Sequence, residues 1–233
     1  MINKLFDFDA NPNMPADNYD VIVRQSIPGY DALMSMLAAL FRIYLADDAH
    51  ILIVAAGGGN EISTLGQAHP SWRFTGVDPS EKMLAVAQSK VEALGLSDRV
   101  TLHQGLVQEL PQFPFNAATS LLVMHFLPDD STKLSYLQAI AARLQSGSPF
   151  VLVDMQGDKQ SEEFERLVDG WQTRARMAGM EAERLAELRN KTLQDLPCIP
   201  ESRTLELLEQ AGFKEITRFY AGFVFTGWLA FLK

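Results

Sequence analysis

The chain is poor in the residues on which disulfide, metal and membrane functions depend. Its one cysteine, Cys198, cannot form an internal disulfide, and its four histidines follow no spacing typical of metal ligands. No apolar run is long enough to span a membrane, and residues 1–20 lack the apolar segment of a signal peptide. We therefore expect a cytoplasmic protein with no metal site and no membrane partner.

Basic residues are also scarce relative to acidic ones. The chain has 20 Lys and Arg against 29 Asp and Glu, which gives a formal net charge of -9 at pH 7. Such a balance disfavours a general electrostatic attraction to nucleic-acid phosphates. We expect no nucleic-acid partner.

Short apolar runs alternate with helical patterns through the middle of the chain. The predicted strands are residues 50–56, 72–77, 99–103, 117–123 and 150–153. The predicted helices are residues 28–47, 60–68, 80–94 and 129–144, with Ser80 as an N-cap. This alternation predicts an α/β fold whose mostly parallel sheet is covered on both faces.

The segments on either side of this core suggest four regions. Residues 1–48 are predicted as an N-terminal arm and helix that cover a binding site, with residues 1–20 as a loose arm. Residues 49–155 form the core, and residues 156–200 a charged helical cap. Residues 201–233 are predicted as a helix followed by a closing strand hairpin.

The strongest binding signal combines a glycine turn with an acid. Gly57-Gly58-Gly59 ends the first predicted strand, and Asp78 ends the second. In a doubly wound sheet this spacing returns the acid beside the turn, where it can accept hydrogen bonds from ribose hydroxyls. A Walker phosphate loop is excluded because no Lys-Ser or Lys-Thr follows the glycines. A tight turn with a surface acid, or a dinucleotide site, remains an alternative.

Several segments resemble the class I S-adenosylmethionine-dependent methyltransferases. ILIVAAGGGNE at 51–61 resembles the first motif of that family, FTGVDPSEKMLAVAQ at 74–88 the second, and VTLHQGLVQELP at 100–111 the adenine-side segment. The resemblance extends through residues 121–155 to the final 27 residues. It implies a Rossmann-like methyltransferase fold with a seven-stranded sheet, an antiparallel C-terminal hairpin and a helical cap, and S-adenosylmethionine as cofactor.

The resemblance also implies which residues bind the cofactor. They are Arg24, Tyr30, Ala55, Gly57, Gly59, Asp78, Pro79, Met83, Gly105, Leu106, Val107 and Leu122. Three positions depart from the family pattern: Ile53 replaces an acid, Ala55 a glycine and Leu106 an acid. Asp78 is then the main polar anchor, and Arg24 could pair with the cofactor carboxylate or only support helix packing.

A narrower resemblance is to the carboxy-S-adenosylmethionine synthase family. VIVRQSIPGYDALMSML at 21–37 carries it, and it implies that Tyr30 lines the cofactor pocket and that Arg189 contacts an extra carboxylate. Leu121 stands where that family has an asparagine. Arg189 also lies among acidic residues, so a solvated ion pair is the alternative interpretation.

His125 is the one candidate catalytic residue. It follows the fourth predicted strand, where it could remove a proton from an acceptor oxygen or nitrogen, or serve only as a structural histidine. The aromatic residues Phe6, Phe8, Trp171 and Trp228 could shape an acceptor pocket or belong to the core.

Three functions follow from these features. The first is methyl transfer to an unidentified small molecule, with S-adenosylhomocysteine as product and a possible homodimer as assembly. The second is carboxyl transfer of the synthase type. The third is a non-catalytic module that binds S-adenosylmethionine, and an NAD-dependent oxidoreductase is a more distant alternative.

Overall fold

A seven-stranded sheet forms the centre of the protein. The computed structural model describes residues 18–233. The strands are β1 (His50–Val54), β2 (Arg73–Asp78), β3 (Val100–Gln104), β4 (Ala117–Leu121), β5 (Pro149–Met155), β6 (Phe213–Gly222) and β7 (Phe225–Leu232). Their order is β3-β2-β1-β4-β5-β7-β6. The first five pair in parallel, and β7 pairs antiparallel with both β5 and β6.

Eight α-helices surround the sheet. They are α1 (Tyr19–Ser26), α2 (Tyr30–Tyr44), α3 (Asn60–Ala68), α4 (Glu81–Ala93), α5 (Thr132–Ala141), α6 (Glu162–Met177), α7 (Ala182–Asn190) and α8 (Glu201–Gln210). A π-helical turn, Lys191–Asp195, continues α7. These counts refer to the described residues 18–233.

The sheet separates two apolar cores, which explains why residues 51–54 of β1 are apolar throughout. Ile51 and Ile53 of β1 point into one core, with α2 and α6, while Leu52 and Val54 point into the other, with α5 and α8. Alternate residues of a strand face opposite sides of a sheet, so a strand covered on both faces needs apolar residues at every position. The predicted fold class, with its parallel core and antiparallel hairpin, is confirmed.

Local capping fixes the start of α4 as the sequence predicts. Ser80 Oγ accepts a hydrogen bond of 3.1 Å from the backbone N–H of Met83. The side chain thereby satisfies one of the helix N–H groups that has no partner inside the helix. The helix consequently begins directly after Asp78 and Pro79.

Helix α1 corrects the prediction that residues 1–20 form a loose arm, since it begins at Tyr19. Val23 is buried, and the indole N–H of Trp171 on α6 donates to the Ser26 carbonyl over 2.6 Å. Arg174 donates to the carbonyls of Arg24 and Gln25. These tertiary contacts stabilise a short helix that the local sequence pattern does not predict. Residues 1–17, with Phe6 and Phe8, lie outside the described part.

No helix among residues 18–233 is long and apolar enough to cross a membrane. The division of the chain into arm, core, cap and closing hairpin stays a prediction.

Candidate functional site

The strand order reverses between β1 and β4, and the turn after β1 lies at this point. In open α/β sheets, ligands bind in the crevice beyond the carboxyl ends of the strands where the order reverses. The backbone has positive φ at Ala55 (56°), Gly57 (49°) and Gly59 (78°). Glycine adopts such angles without steric cost, whereas Ala55 carries a Cβ there.

The three glycines of the turn serve different purposes. A Cβ on Gly59 would lie 3.0 Å from the Cα of Ala87, so this glycine permits close packing of the turn against α4. A Cβ on Gly58 would lie 3.5 Å from the ring of Tyr19, which places α1 across the turn. Gly57 lies at the cavity described next.

A small cavity, the glycine pocket, lies at this turn. It is lined by Tyr19, Tyr30, Leu33, Ala55, Ala56, Gly57, Gly58, Asn60, Glu61, Leu121 and Leu122 and has a volume of about 20 Å³. The sequence-predicted Tyr30, Ala55, Gly57 and Leu122 are therefore brought together around it. Leu122, directly after β4, also has a positive φ of 64°.

Asp78 holds the turn from the end of β2. Its Oδ2 accepts a hydrogen bond of 2.8 Å from the N–H of Gly57, and its Oδ1 accepts one of 2.9 Å from the N–H of Ser80. The side chain is buried. The two carboxylate oxygens therefore connect the end of β2 to the glycine turn and to the start of α4.

The remaining predicted cofactor residues occupy several environments. A Cβ on Gly57 would lie 3.5 Å from Met83 Cε, so Met83 borders the turn. Pro79 is exposed, and Val107 is buried in the second core. Gly105 donates its N–H to the Asp78 carbonyl over 3.0 Å, and Leu106 donates its N–H to Glu109 Oε2 over 2.7 Å. The Leu106 N–H is thus directed at Glu109 in this structure.

The two predicted arginine ligands lie in ion pairs. Arg24 Nε is 2.9 Å from Asp31 Oδ1, and its guanidinium carbon lies 5.6 Å from the ring centre of Tyr30. Arg189 pairs with Asp169 at 2.8 Å and with Glu165 at 3.3 Å. This placement agrees with the ion-pair interpretation of Arg189, and its contact with a substrate stays a prediction.

The sequence analysis did not single out Glu61. This residue in the first turn of α3 is 6% exposed and lines the glycine pocket. Its Oε1 accepts a hydrogen bond of 2.6 Å from Thr119 Oγ1 on β4. Burial raises the pKa of the Glu61 carboxyl to about 8, the Thr119 hydrogen bond lowers it, and the neighbouring Asp78 raises it further. The sequence signal that could have identified Glu61 is its position on the face of α3 that is otherwise formed by apolar residues.

A second, larger cavity lies beside the glycine pocket and shares Tyr19 and Leu122 with it. We call it the apolar cavity; its volume is about 160 Å³. Its lining residues are Tyr19, Ile22, Val23, Ser26, Ile27, Leu122, His125, Phe126, Met155, Trp171, Arg184, Leu188, Lys191, Thr192, Leu196 and Phe225. Of the predicted aromatic residues, Trp171 therefore lines it, whereas Trp228 is buried and donates to Gln156 Oε1.

His125 lines the apolar cavity and is paired beneath it. Its Nδ1 lies 2.5 Å from Asp154 Oδ1, and both side chains are buried. Asp154 Oδ2 has no hydrogen-bond partner among the described residues. Because a carboxylate accepts hydrogen bonds, it favours the tautomer with the proton on Nδ1 and leaves Nε2 as the basic nitrogen.

A buried lysine supports the turn that carries His125. Lys133 is fully buried, and its Nζ donates to the carbonyls of Met124 and Leu127 over 2.6 Å each. Burial lowers the pKa of the Lys133 ammonium, and the nearby Asp154 raises it. Lys133 thereby connects α5 to both ends of this turn.

Comparison with known proteins adds family information to this geometry. Residues 51–147 match the family model described as a methyltransferase domain. The carboxy-S-adenosyl-L-methionine synthase of Campylobacter concisus is 23% identical over 99% of this chain and 96% of its own. An O-methyltransferase family protein from Burkholderia thailandensis superposes with a TM-score of 0.70, at 12% identity, over 100% of this chain and 63% of its own. An S-adenosylmethionine-dependent methyltransferase from Aquifex aeolicus superposes with a TM-score of 0.61, at 17% identity, over 92% of this chain and 98% of its own.

The residues at the glycine pocket fit S-adenosylmethionine chemically. The Asp78 carboxylate suits ribose hydroxyls, and the glycine turn allows close approach of a nucleoside. The ring of Tyr19 on α1 lies against Gly58 and lines the pocket. Residues 51–147 therefore match a methyltransferase domain, and both the fold and the glycine turn paired to Asp78 agree with that match.

Proposed function

We propose that the protein transfers a methyl group to a small, largely apolar acceptor that binds in the apolar cavity. One observation carries this proposal: His125, which is paired with Asp154, lines a cavity that shares Tyr19 and Leu122 with the glycine pocket. The cavity holds mainly aliphatic and aromatic side chains, which favours an acceptor with an apolar body.

The residues of the cavity have separate roles in this reaction. When bound, S-adenosylmethionine supplies the methyl group, which passes from sulfonium sulfur to an acceptor oxygen or nitrogen. His125 Nε2 takes the proton that the acceptor atom loses, and Asp154 holds the ring and stabilises the imidazolium. The apolar walls orient the acceptor and exclude water, as in-line transfer requires.

The test measures S-adenosylhomocysteine formation with a panel of hydroxylated and aminated aromatic compounds. His125→Gln should lower kcat by at least about 100-fold on the active compound, since general-base catalysis contributes factors of that order or more. His103→Gln, on an exposed position of β3, is the matched control. Full turnover by His125→Gln at every pH would contradict the assignment. So would binding of S-adenosylhomocysteine without turnover of any panel member.

Carboxyl transfer is a second candidate, because the synthase relative is matched over nearly the whole of both chains and Tyr30 lines the glycine pocket. Mass spectrometry of ligand retained during purification separates the two candidates. A ligand heavier than S-adenosylmethionine by one carboxyl group favours the synthase type. A non-catalytic module is the third candidate. In that case we expect the purified protein to retain the cofactor and to form neither a methylated nor a carboxylated product.

The composition supports two further proposals, a cytoplasmic location and no nucleic-acid partner, and we also propose a homodimer. Light scattering of the purified protein tests the last of these.

A further inference from the structure

Glu61 is a buried carboxyl group at the edge of the glycine pocket. It reaches the pocket from the start of α3, and Thr119 Oγ1 on β4 donates to its Oε1 over 2.6 Å. Among the described residues, Thr119 is the only hydrogen-bond donor to this carboxyl group. Burying a carboxylate with a single neutral donor is costly, because an ionised group needs a counter-charge or several donors.

Within the described residues 18–233, the groups that face Glu61 provide no such counter-charge. Asp78 at the end of β2 is acidic, and the phenols of Tyr19 on α1, Tyr30 on α2 and Tyr136 on α5 are electrostatically coupled to Glu61. Burial raises the pKa of each of these three phenols, so they remain neutral near pH 7.

Lys90 and Arg24, the nearby cations, are engaged elsewhere. Lys90 Nζ lies 2.7 Å from Asp20 Oδ1 and 2.6 Å from Asn60 Oδ1, and Arg24 pairs with Asp31. Among residues 18–233, Glu61 therefore borders the glycine pocket without an ion-pair partner. A ligand with a positive charge would supply the counter-charge that this carboxyl group lacks.

We propose that Glu61 forms a subsite for a cationic group and receives the positively charged methionine end of S-adenosylmethionine. On binding, the neutral carboxylic acid loses its proton to the buffer and the carboxylate faces the incoming cation. The Thr119 hydroxyl continues to donate to Oε1 in the ionised form. This inference depends on cofactor binding only, so it can fail or hold independently of the acceptor and of His125.

Isothermal titration calorimetry in two buffers of different ionisation enthalpy measures the proton released. With a pKa of about 8 for free Glu61, we expect close to one proton released per cofactor bound at pH 7. The affinity for S-adenosylmethionine should rise roughly ninefold between pH 6 and pH 7, because the ionised fraction of Glu61 grows while the amino group of the ligand stays charged. No acceptor is present, so turnover does not enter the measurement.

Three ligands identify the cation. Release with both S-adenosylmethionine and S-adenosylhomocysteine assigns the amino group, and release with S-adenosylmethionine alone assigns the sulfonium. 5′-Methylthioadenosine, which is uncharged and lacks the amino acid, should release no proton. Equal release with this ligand, or none with any ligand, would overturn the proposal.

Matched variants separate Glu61 from other titrating groups. Glu61→Gln keeps a carbonyl oxygen for the Thr119 hydroxyl, and it should abolish both the proton release and the rise in affinity. Glu163→Gln, at an exposed position of α6, should behave as the wild type. Thr119→Val removes the donor and should move the pH dependence to higher pH. Undiminished release from folded Glu61→Gln would contradict the inference.

Discussion

The Asp78 carboxylate accepts a hydrogen bond of 2.8 Å from the backbone N–H of Gly57. This contact joins the end of β2 to the turn after β1, 21 residues earlier in the chain. The same carboxylate accepts the N–H of Ser80, where α4 begins. Asp78 therefore fixes the turn and the start of α4.

Asp78→Ala should weaken S-adenosylhomocysteine binding by about 1.5–3 kcal/mol, the range for hydrogen bonds to a charged group. Calorimetric titration measures the change, and circular dichroism confirms that the variant is folded. Asp98→Ala, on an exposed turn before β3, is the control and should bind as the wild type does. Unchanged affinity in folded Asp78→Ala would exclude a ribose contact.

Gly59→Ala should destabilise the protein more than Gly95→Ala. Both glycines have positive φ, 78° and 66°, so each alanine carries a conformational cost of about 1–2 kcal/mol. At Gly59 the new Cβ would also lie 3.0 Å from the Ala87 Cα, whereas nothing lies within 4 Å of a Cβ at Gly95. Overpacking adds about 1–3 kcal/mol. Urea unfolding measures the free energy of unfolding of both variants. Equal losses in the two would show that α4 shifts to accommodate the new methyl group at position 59.

The sequence predicted those features that local patterns determine. The limits of α3 agree with the prediction because helical periodicity and neighbouring turn residues mark its ends. The meeting of Gly57 and Asp78 followed from the length of one strand-helix-strand unit. Such features depend on residues that are close in the chain.

Contacts between distant segments were not predictable in this way. Asp154 lies 29 residues after His125, and nothing in the spacing indicates that neighbouring parallel strands bring the two together. Trp171 contacts Ser26 across 145 residues, so the position of α1 depends on α6. Glu61 resembled an ordinary acid in the first turn of a helix until Thr119 was placed beside it.

The stability of the ligand-free protein should fall as the pH rises from about 5 to about 8. The folded-state pKa of Glu61 is about 8 against an ordinary value of 4.5, so the folded state binds more protons than the unfolded state in this window. Raising the pH then favours unfolding, and the full shift corresponds to a change on the order of 5 kcal/mol. Thermal unfolding at each pH measures the trend.

Glu61→Gln should remove this part of the pH dependence, because the amide does not titrate. Glu163→Gln should leave the dependence intact. A wild-type unfolding temperature that stays constant or rises over the same interval, with a parallel curve for Glu61→Gln, would show that Glu61 titrates normally.

Tyr19→Ala should accelerate cofactor binding. The Tyr19 ring lies against Gly58 and lines both cavities, so we expect a nucleoside that binds at the turn to displace this ring. Removing its contacts should lower the free-energy cost of freeing the turn by about 1.4 kcal/mol, a low figure for a large apolar side chain because Tyr19 is only partly buried. A barrier lower by this amount corresponds to roughly tenfold faster association. Stopped-flow fluorescence can follow Trp171, which lines the apolar cavity.

Tyr44→Ala is the matched control, since Tyr44 is 48% exposed on α2 and packs against Phe231, away from both cavities. Association should be unchanged in this variant. The comparison distinguishes a specific obstruction from general loosening, because loosening would accelerate both variants. Equal association rates for wild type and Tyr19→Ala would show that the Tyr19 ring does not limit binding. The slow step would then lie elsewhere, for example in the contacts by which Trp171 and Arg174 hold the C-terminal end of α1.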